Sequence, residues 1–522
     1  MNAPRDSKPR GAGRRLASYW LLAVSLCVAP AASRVGGEPS SSEQIHNAVT
    51  EIDLAHAEKL LSAASADSAS LAFERARLSV YRGDCDVAAA TLSTPELAET
   101  REGQSLKQLA ESCARATVAG FVIEDKARGI WLRLQDDADR ALAPMIFDVA
   151  ARARDAVCGA VGVDLPRPLR IDLVRDLFSL SSVSGLPLEA AETTGTLAVA
   201  RWGRVILLTP RAASLGFPWE DTLAHEIAHL VVTRATRDHA PLWLQEGMAK
   251  RLESSWREAR PFDEPEWADA LAYRALLEGR AIGIDKLGPS IAMLPTPEAA
   301  SIAFAEVTSF VSYFAKVAGA PALRLLFADL KGTGQHGPDV ALRSVTGYTL
   351  SEWNQRWQRA LVPTQPGAAE PARAAFSRDL ARRVRLSDLL AQRDHAAFAA
   401  ELVLPAISAD QKEPALRFRA ARALLQAGDG QRARAVLGAE AEIGGVYGAW
   451  FALHGRLLKE AGDPVSAERA FRLGIAVDPL SEEVACEGQR RSRGQPVDAA
   501  PLPTDPHRRE LCLAARARPP EP

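Results

Sequence analysis

Two histidines four residues apart, His225 and His229, bracket a glutamate in the run Thr222-Leu-Ala-His225-Glu226-Ile-Ala-His229. On an α-helix that spacing stacks both imidazoles on one face, with β-carbons about 6 Å apart. Ring nitrogens so placed can converge on one zinc ion at about 2 Å each. Glu226 lies roughly a quarter-turn away, so it flanks the ligand face and can reach a water there without displacing it. Leu223, Ile227, Leu230 and Val231 fall on the other side at helical spacing and are expected to bury against a core. With nine histidines in the chain, chance rarely writes this pentapeptide. Alone, it still does not separate a metal site from a solvated helix.

The downstream text separates them. Catalytic zinc needs a third protein ligand and one open position. Downstream comes Pro241-Leu-Trp243-Leu-Gln-Glu246-Gly247-Met-Ala249, with Glu246 seventeen residues after His229. Glu246 on the next helix can be that ligand, and Gly247 and Ala249 beside it permit close helix–helix approach. The expected centre is one zinc per chain on His225, His229 and Glu246.

Together these linked motifs resemble the gluzincin metallopeptidases, in their peptidase MA-like branch, over roughly residues 165–362. The likeness extends to the Gly195–Leu208 strand region, to Phe310-Val-Ser-Tyr-Phe314 and to the Val345-Thr-Gly347…Trp353…Trp357 segment. It implies a thermolysin-like core that hydrolyses peptide bonds: a small sheet over a cleft, the zinc helix beneath, and a helical subdomain carrying Glu246. His225, His229 and Glu246 match zinc ligands of that family, and Glu226 matches the general base. The resemblance also implies that strand Val205–Leu208 offers its edge to an extended peptide. One residue departs from the pattern. A tyrosine often begins the helix that here reads Phe304-Ala-Glu-Val-Thr-Ser-Phe310, and Phe304 has no hydroxyl to steady an oxyanion. His239, Tyr313 and His336 are the other candidates for that donor.

The elements around this centre set the fold class. Leu169–Val174 alternates like a strand, and Thr196–Thr209 reads as a hairpin about Trp202-Gly203. Strands followed by long amphipathic helices give an α+β domain, residues 119–362. Mostly helical arms flank it. Leu424, Ala427, Gly428, Asp429 and Ala433 recur 34 residues later as Leu458, Ala461, Gly462, Asp463 and Ala467, the period of tetratricopeptide repeats. Segment 376–487 is therefore read as repeat-like, as is 46–118, where Gly83, Asp84 and Ala88 keep the same spacing. Linkers are expected at 34–45 and 363–375, and a disordered tail at 488–522.

A basic leader, a short apolar run from Leu16 to Val28 and the small residues Ala29–Ser33 make residues 1–33 a signal peptide. The protein is thus expected outside the cytoplasm, periplasmic or secreted, touching a membrane only if the leader stays uncleaved. Export allows disulfides, and the local pairs are Cys85 with Cys113 and Cys486 with Cys512, leaving Cys158 over. Nothing beyond the leader reads as apolar enough to span a bilayer. A net charge of −2 excludes a surface-wide polyanion site, so no nucleic-acid partner is expected. The expected partners are a peptide or protein substrate and a protein on the repeats. The alternative is a catalytically idle scaffold that uses only the repeats.

Overall fold

The computed structural model describes residues 40–64, 68–213, 216–260, 263, 267–332, 337–361, 378–407, 414–438, 447–488 and 501–517. The leader, the 363–375 linker and His336 lie outside the described residues. Among those described, the chain is mostly helical with one small mixed sheet of five strands, an α+β fold.

The strands are β1 (Phe121–Asp125), β2 (Ile130–Leu134), β3 (Leu169–Val174), β4 (Ala198–Arg201) and β5 (Arg204–Leu208), in the order β1-β2-β3-β5-β4. β2, β3 and β5 run parallel, while β1 and β4 pair antiparallel at the two edges. The expected hairpin forms: Arg201 stands opposite Arg204, and Trp202 and Gly203 both take positive φ in the two-residue turn. That turn matches the natural twist of the strands. Val205–Leu208 is not an edge, as the sequence had suggested. β5 is flanked by β3 and β4, so the free edge belongs to β4.

Both faces of β5 are covered, which is why Val205-Ile-Leu-Leu208 is continuously apolar. Val205 and Leu207 meet the helices Ala143–Val161 and Trp219–Thr236, while Ile206 and Leu208 meet Leu180 and Val183 of the helix Leu177–Ser184. Helix Trp219–Thr236, the histidine helix, buries Leu223, Ile227, Leu230 and Val231 against this core as expected. Each such side chain contributes about 1.5–3 kcal/mol of transfer free energy. The helix ends where Arg237 enters the left-handed region.

Helix Leu242–Leu252, the Glu246 helix, lies on the long segment Pro297–Gly332. A β-carbon on Gly247 would sit 2.7 Å from Val307 O and 2.8 Å from Val311 Cβ, so only glycine fits this close crossing. Pro297–Gly332 is long and apolar enough to cross a membrane by length and composition, which the sequence reading had denied of any segment beyond the leader. It is broken at Gly319, however, and its first arm buries Phe310 and Phe314 beside Trp243.

Both arms join the central core. Helix–turn–helix units recur at the 34-residue period: Gly428 and Gly462 take φ near +85, after which Asp429 and Asp463 cap the next helix through the amides of Arg432 and Ser466. Gly83 makes the same turn before Cys85–Thr91. Phe217 N donates to Val477 O at 3.0 Å, and the Trp219 indole donates to Ile475 O at 3.2 Å. The carboxyl-terminal repeats are thereby fixed to the foot of the histidine helix. At its far end Arg234 and Arg237 hold Glu51 of the amino-terminal arm.

Two boundaries differ from expectation. Helix Ser41–Thr50 starts inside the expected 34–45 linker because the Ser40 hydroxyl caps it. The tail expected to be disordered contains helix Pro506–Arg516, which buries Leu511 and Cys512. Its arginines are what made it look unfolded, and they pair: Arg508 with Glu468 and Glu487, Arg516 with Glu482. Disulfides join Cys85 to Cys113 and Cys486 to Cys512, and Cys158 is a half-buried free thiol.

Candidate metal centre

The histidine helix presents His225 and His229 on the face opposite its apolar stripe, and the Glu246 helix faces them. The two Nε2 atoms are 3.2 Å apart, and Glu246 Oε2 lies 3.6 Å from that of His225 and 3.5 Å from that of His229. Three donor atoms thus form a nearly equilateral triangle, and these three residues could hold a metal ion.

The outer ring nitrogens explain why the inner ones converge. His225 Nδ1 sits 3.0 Å from a Glu253 carboxylate oxygen, so it carries the proton and donates. His229 Nδ1 sits 3.2 Å from Gln245 Oε1, while Gln245 Nε2 donates to Thr233 Oγ1. That second bond orients the amide, making its oxygen the acceptor. Both Nε2 lone pairs are left free to point inward, the usual second layer of a histidine metal site. Lys250 in turn holds Glu253 at 3.1 Å.

Charge is concentrated here. Burial alone would lower the His225 pKa, but the bonds to Glu246 and Glu253 override it and push it up to about 9. His229 is raised in the same way, with burial opposed chiefly by the Glu246 charge. Glu246 moves far the other way: burial would raise it, but the charge of His229 and the bond to His225 hold it well below the carboxylate range. The carboxylates thus favour positive charge between the two imidazoles, and a cation bound there would take the place of protons.

Glu226 is buried beside the trio. Burial raises its pKa, the two histidines draw it back, and the backbone N–H of Ala200 donates to its carboxylate. Ala200 lies on β4, so the free sheet edge reaches the glutamate directly. Phe304 packs edge-on to His225 with ring centroids 6.4 Å apart, and Lys250 Nζ lies over its outer face at 5.5 Å.

The four residues expected to do chemistry are together: His225, Glu226, His229 and Glu246. The expected donors are engaged elsewhere. His239 Nδ1 bonds Leu330 O at 3.1 Å, and Tyr313 packs edge-on to Trp353. The sequence reading missed Glu253 and Gln245. A signal was present for the first, since it falls two helical turns after Glu246 and so on the same face. Acidic anchors at the start of the histidine helix were also missed: Asp221 takes Arg257 in a two-pronged bond, and Glu220 takes Arg260.

No protein-family model, curated protein or solved structure matches the chain. The residues and their geometry carry the functional argument.

Proposed function

We propose that the protein is an exported zinc-dependent peptidase of gluzincin type, with a thermolysin-like core. The observation that carries this reading is the donor triangle. A tetrahedral zinc with ligands at about 2.0–2.1 Å separates its donors by roughly 3.3–3.4 Å, close to the 3.2, 3.5 and 3.6 Å seen here.

His225, His229 and Glu246 would hold the ion. Bound there, zinc supplies Lewis acidity to a scissile carbonyl and to the attacking water. Glu226 does the proton work. Its carboxylate, buried and steadied by the Ala200 amide, accepts the proton of the attacking water and returns it to the leaving nitrogen. Glu253 and Gln245 keep both imidazoles in one tautomer throughout. The edge of β4 positions an extended substrate: Leu208 N donates to Leu197 O across the hairpin, which turns the amide and carbonyl of Ala198 and the carbonyl of Ala200 outward.

Phe304 favours a second reading, an idle scaffold whose repeats bind partners. It stands against His225 with no hydroxyl to offer an oxyanion. One experiment separates the two: zinc-loaded wild type and Glu226→Gln are compared on a broad peptide library. Cleavage by wild type alone supports the peptidase. A wild type that holds zinc and cleaves nothing supports the scaffold.

A further inference from the structure

Arg201 is the last residue of β4 and follows Ala200, whose amide meets Glu226. Its guanidinium lies beside the hairpin turn that ends β4. On one face of the sheet it lies near Gly185, where a β-carbon would come 3.6 Å from Nη1. Asp238, just past the end of the histidine helix, acts on it electrostatically. The guanidinium stacks over Trp202 at 5.0 Å.

Several arginines near the sheet have carboxylates, though Arg170 on β3 has only the carbonyl of Pro168. Arg133 and Arg204 share Asp172, Arg211 takes Asp139, and Arg257 takes Asp221. Arg201 is half-buried and, among the described residues, has no hydrogen-bond or ion-pair partner. Burial pulls its pKa down, the mark of a charge that has lost water without gaining a partner. Asp238 is close enough to be felt but is bonded to Thr233 instead. A planar guanidinium held rigidly by an aromatic ring, with its donors free, suits a two-pronged grip on a carboxylate.

We infer that Arg201 is a specificity residue that selects peptides bearing a carboxylate, either an acidic side chain or a free C-terminus, as they lie along β4. The inference rests on the peptidase reading. Asp238 repels the same carboxylate, so it limits the affinity that Arg201 provides.

The test measures binding without turnover, so its failure is distinct from a failure of catalysis. Zinc-loaded Glu226→Gln protein is titrated, by fluorescence anisotropy, into matched labelled peptides. The arms are Asp or Glu against Asn or Gln, and free C-terminal acid against amide. The parent should prefer the carboxylate member of one pair, and which pair responds identifies the source. Adding Arg201→Gln should weaken that member roughly tenfold or more, the loss of a charge-assisted bond, and leave the neutral member unchanged. Arg201→Lys should keep part of the preference, which shows that the fold is intact. Asp238→Asn should strengthen it. Equal loss on charged and neutral peptides, or a parent that shows no charge preference, overturns the inference.

Discussion

Replacing Gly247 with alanine sets two effects against each other. Alanine is favoured over glycine inside a helix by about 0.8–1.0 kcal/mol, so on propensity alone the variant should be more stable. The new β-carbon, however, would lie 2.7 Å from Val307 O and 2.8 Å from Val311 Cβ. Comfortable carbon contacts begin at about 3.5 Å, so the overlap approaches 1 Å on two atoms. One is a backbone oxygen that cannot rotate aside. Overpacking of this kind costs about 1–3 kcal/mol, and here the upper end applies because the helix itself must move. The expected net change is a loss of about 1–2 kcal/mol, with weaker zinc binding because Glu246 moves with its neighbour. Gly159, in the helix Ala143–Val161, is the control: a β-carbon there meets nothing within 4 Å, so Gly159→Ala should gain up to about 1 kcal/mol. Guanidinium unfolding of the metal-free proteins reads both midpoints, with zinc content measured beside them. If the two variants shift in the same direction, the close-crossing argument is wrong.

Four further outcomes follow from the geometry. Glu246→Ala should retain well below one zinc per chain after mild chelation, by metal analysis, while wild type keeps about one; equal retention removes Glu246 from the ligand set. Glu253→Gln should weaken zinc about ten- to hundredfold in a competition titration while leaving the unfolding midpoint of the metal-free protein nearly unchanged. Glu226→Gln should keep its zinc and lose 10²–10⁴-fold in cleavage rate, as loss of a general base does. In Glu51, burial would raise the pKa, but Lys331 and Arg237 hold it below its ordinary 4.5. A depressed carboxylate stabilises the fold above that value and stops doing so as pH falls through its folded pKa. Wild type should therefore lose stability below pH 4.5 more steeply than Glu51→Gln, in thermal melts across that range.

What the sequence made legible was local. The histidine helix can be read because its ligands and its apolar stripe share one 3.6-residue period, and Gly247 because small residues mark close crossings. Trp202-Gly203 announced its turn, and the two disulfides join cysteines under 30 residues apart. Illegible features depended on distant partners. Nothing in Val205–Leu208 tells that β3 will pair with it and leave β4 as the edge. β1 hides because an edge strand facing solvent carries Glu124 and Asp125 among its apolar residues. Helix Pro506–Arg516 reads as a charged tail until Glu468, Glu482 and Glu487 supply its counter-charges. Glu253 was readable as a helix-face residue, but its role required knowing which imidazole the Glu246 helix would face.

The bonds from Phe217 and Trp219 to Val477 and Ile475 have a practical meaning for how this protein ages. A protease nick in the segment before the carboxyl-terminal repeats would not release them, because the cut piece stays clamped to the helix that carries both histidines. Pulling it away would strip the Trp219 indole of its acceptor and uncover apolar surface shared with Leu480, Val484 and Leu511. A fragment trimmed to residues 119–362 would thus be sticky and poorly folded. Damage to the far end of the chain should disturb the His225, His229 and Glu246 cluster long before it touches any of the three.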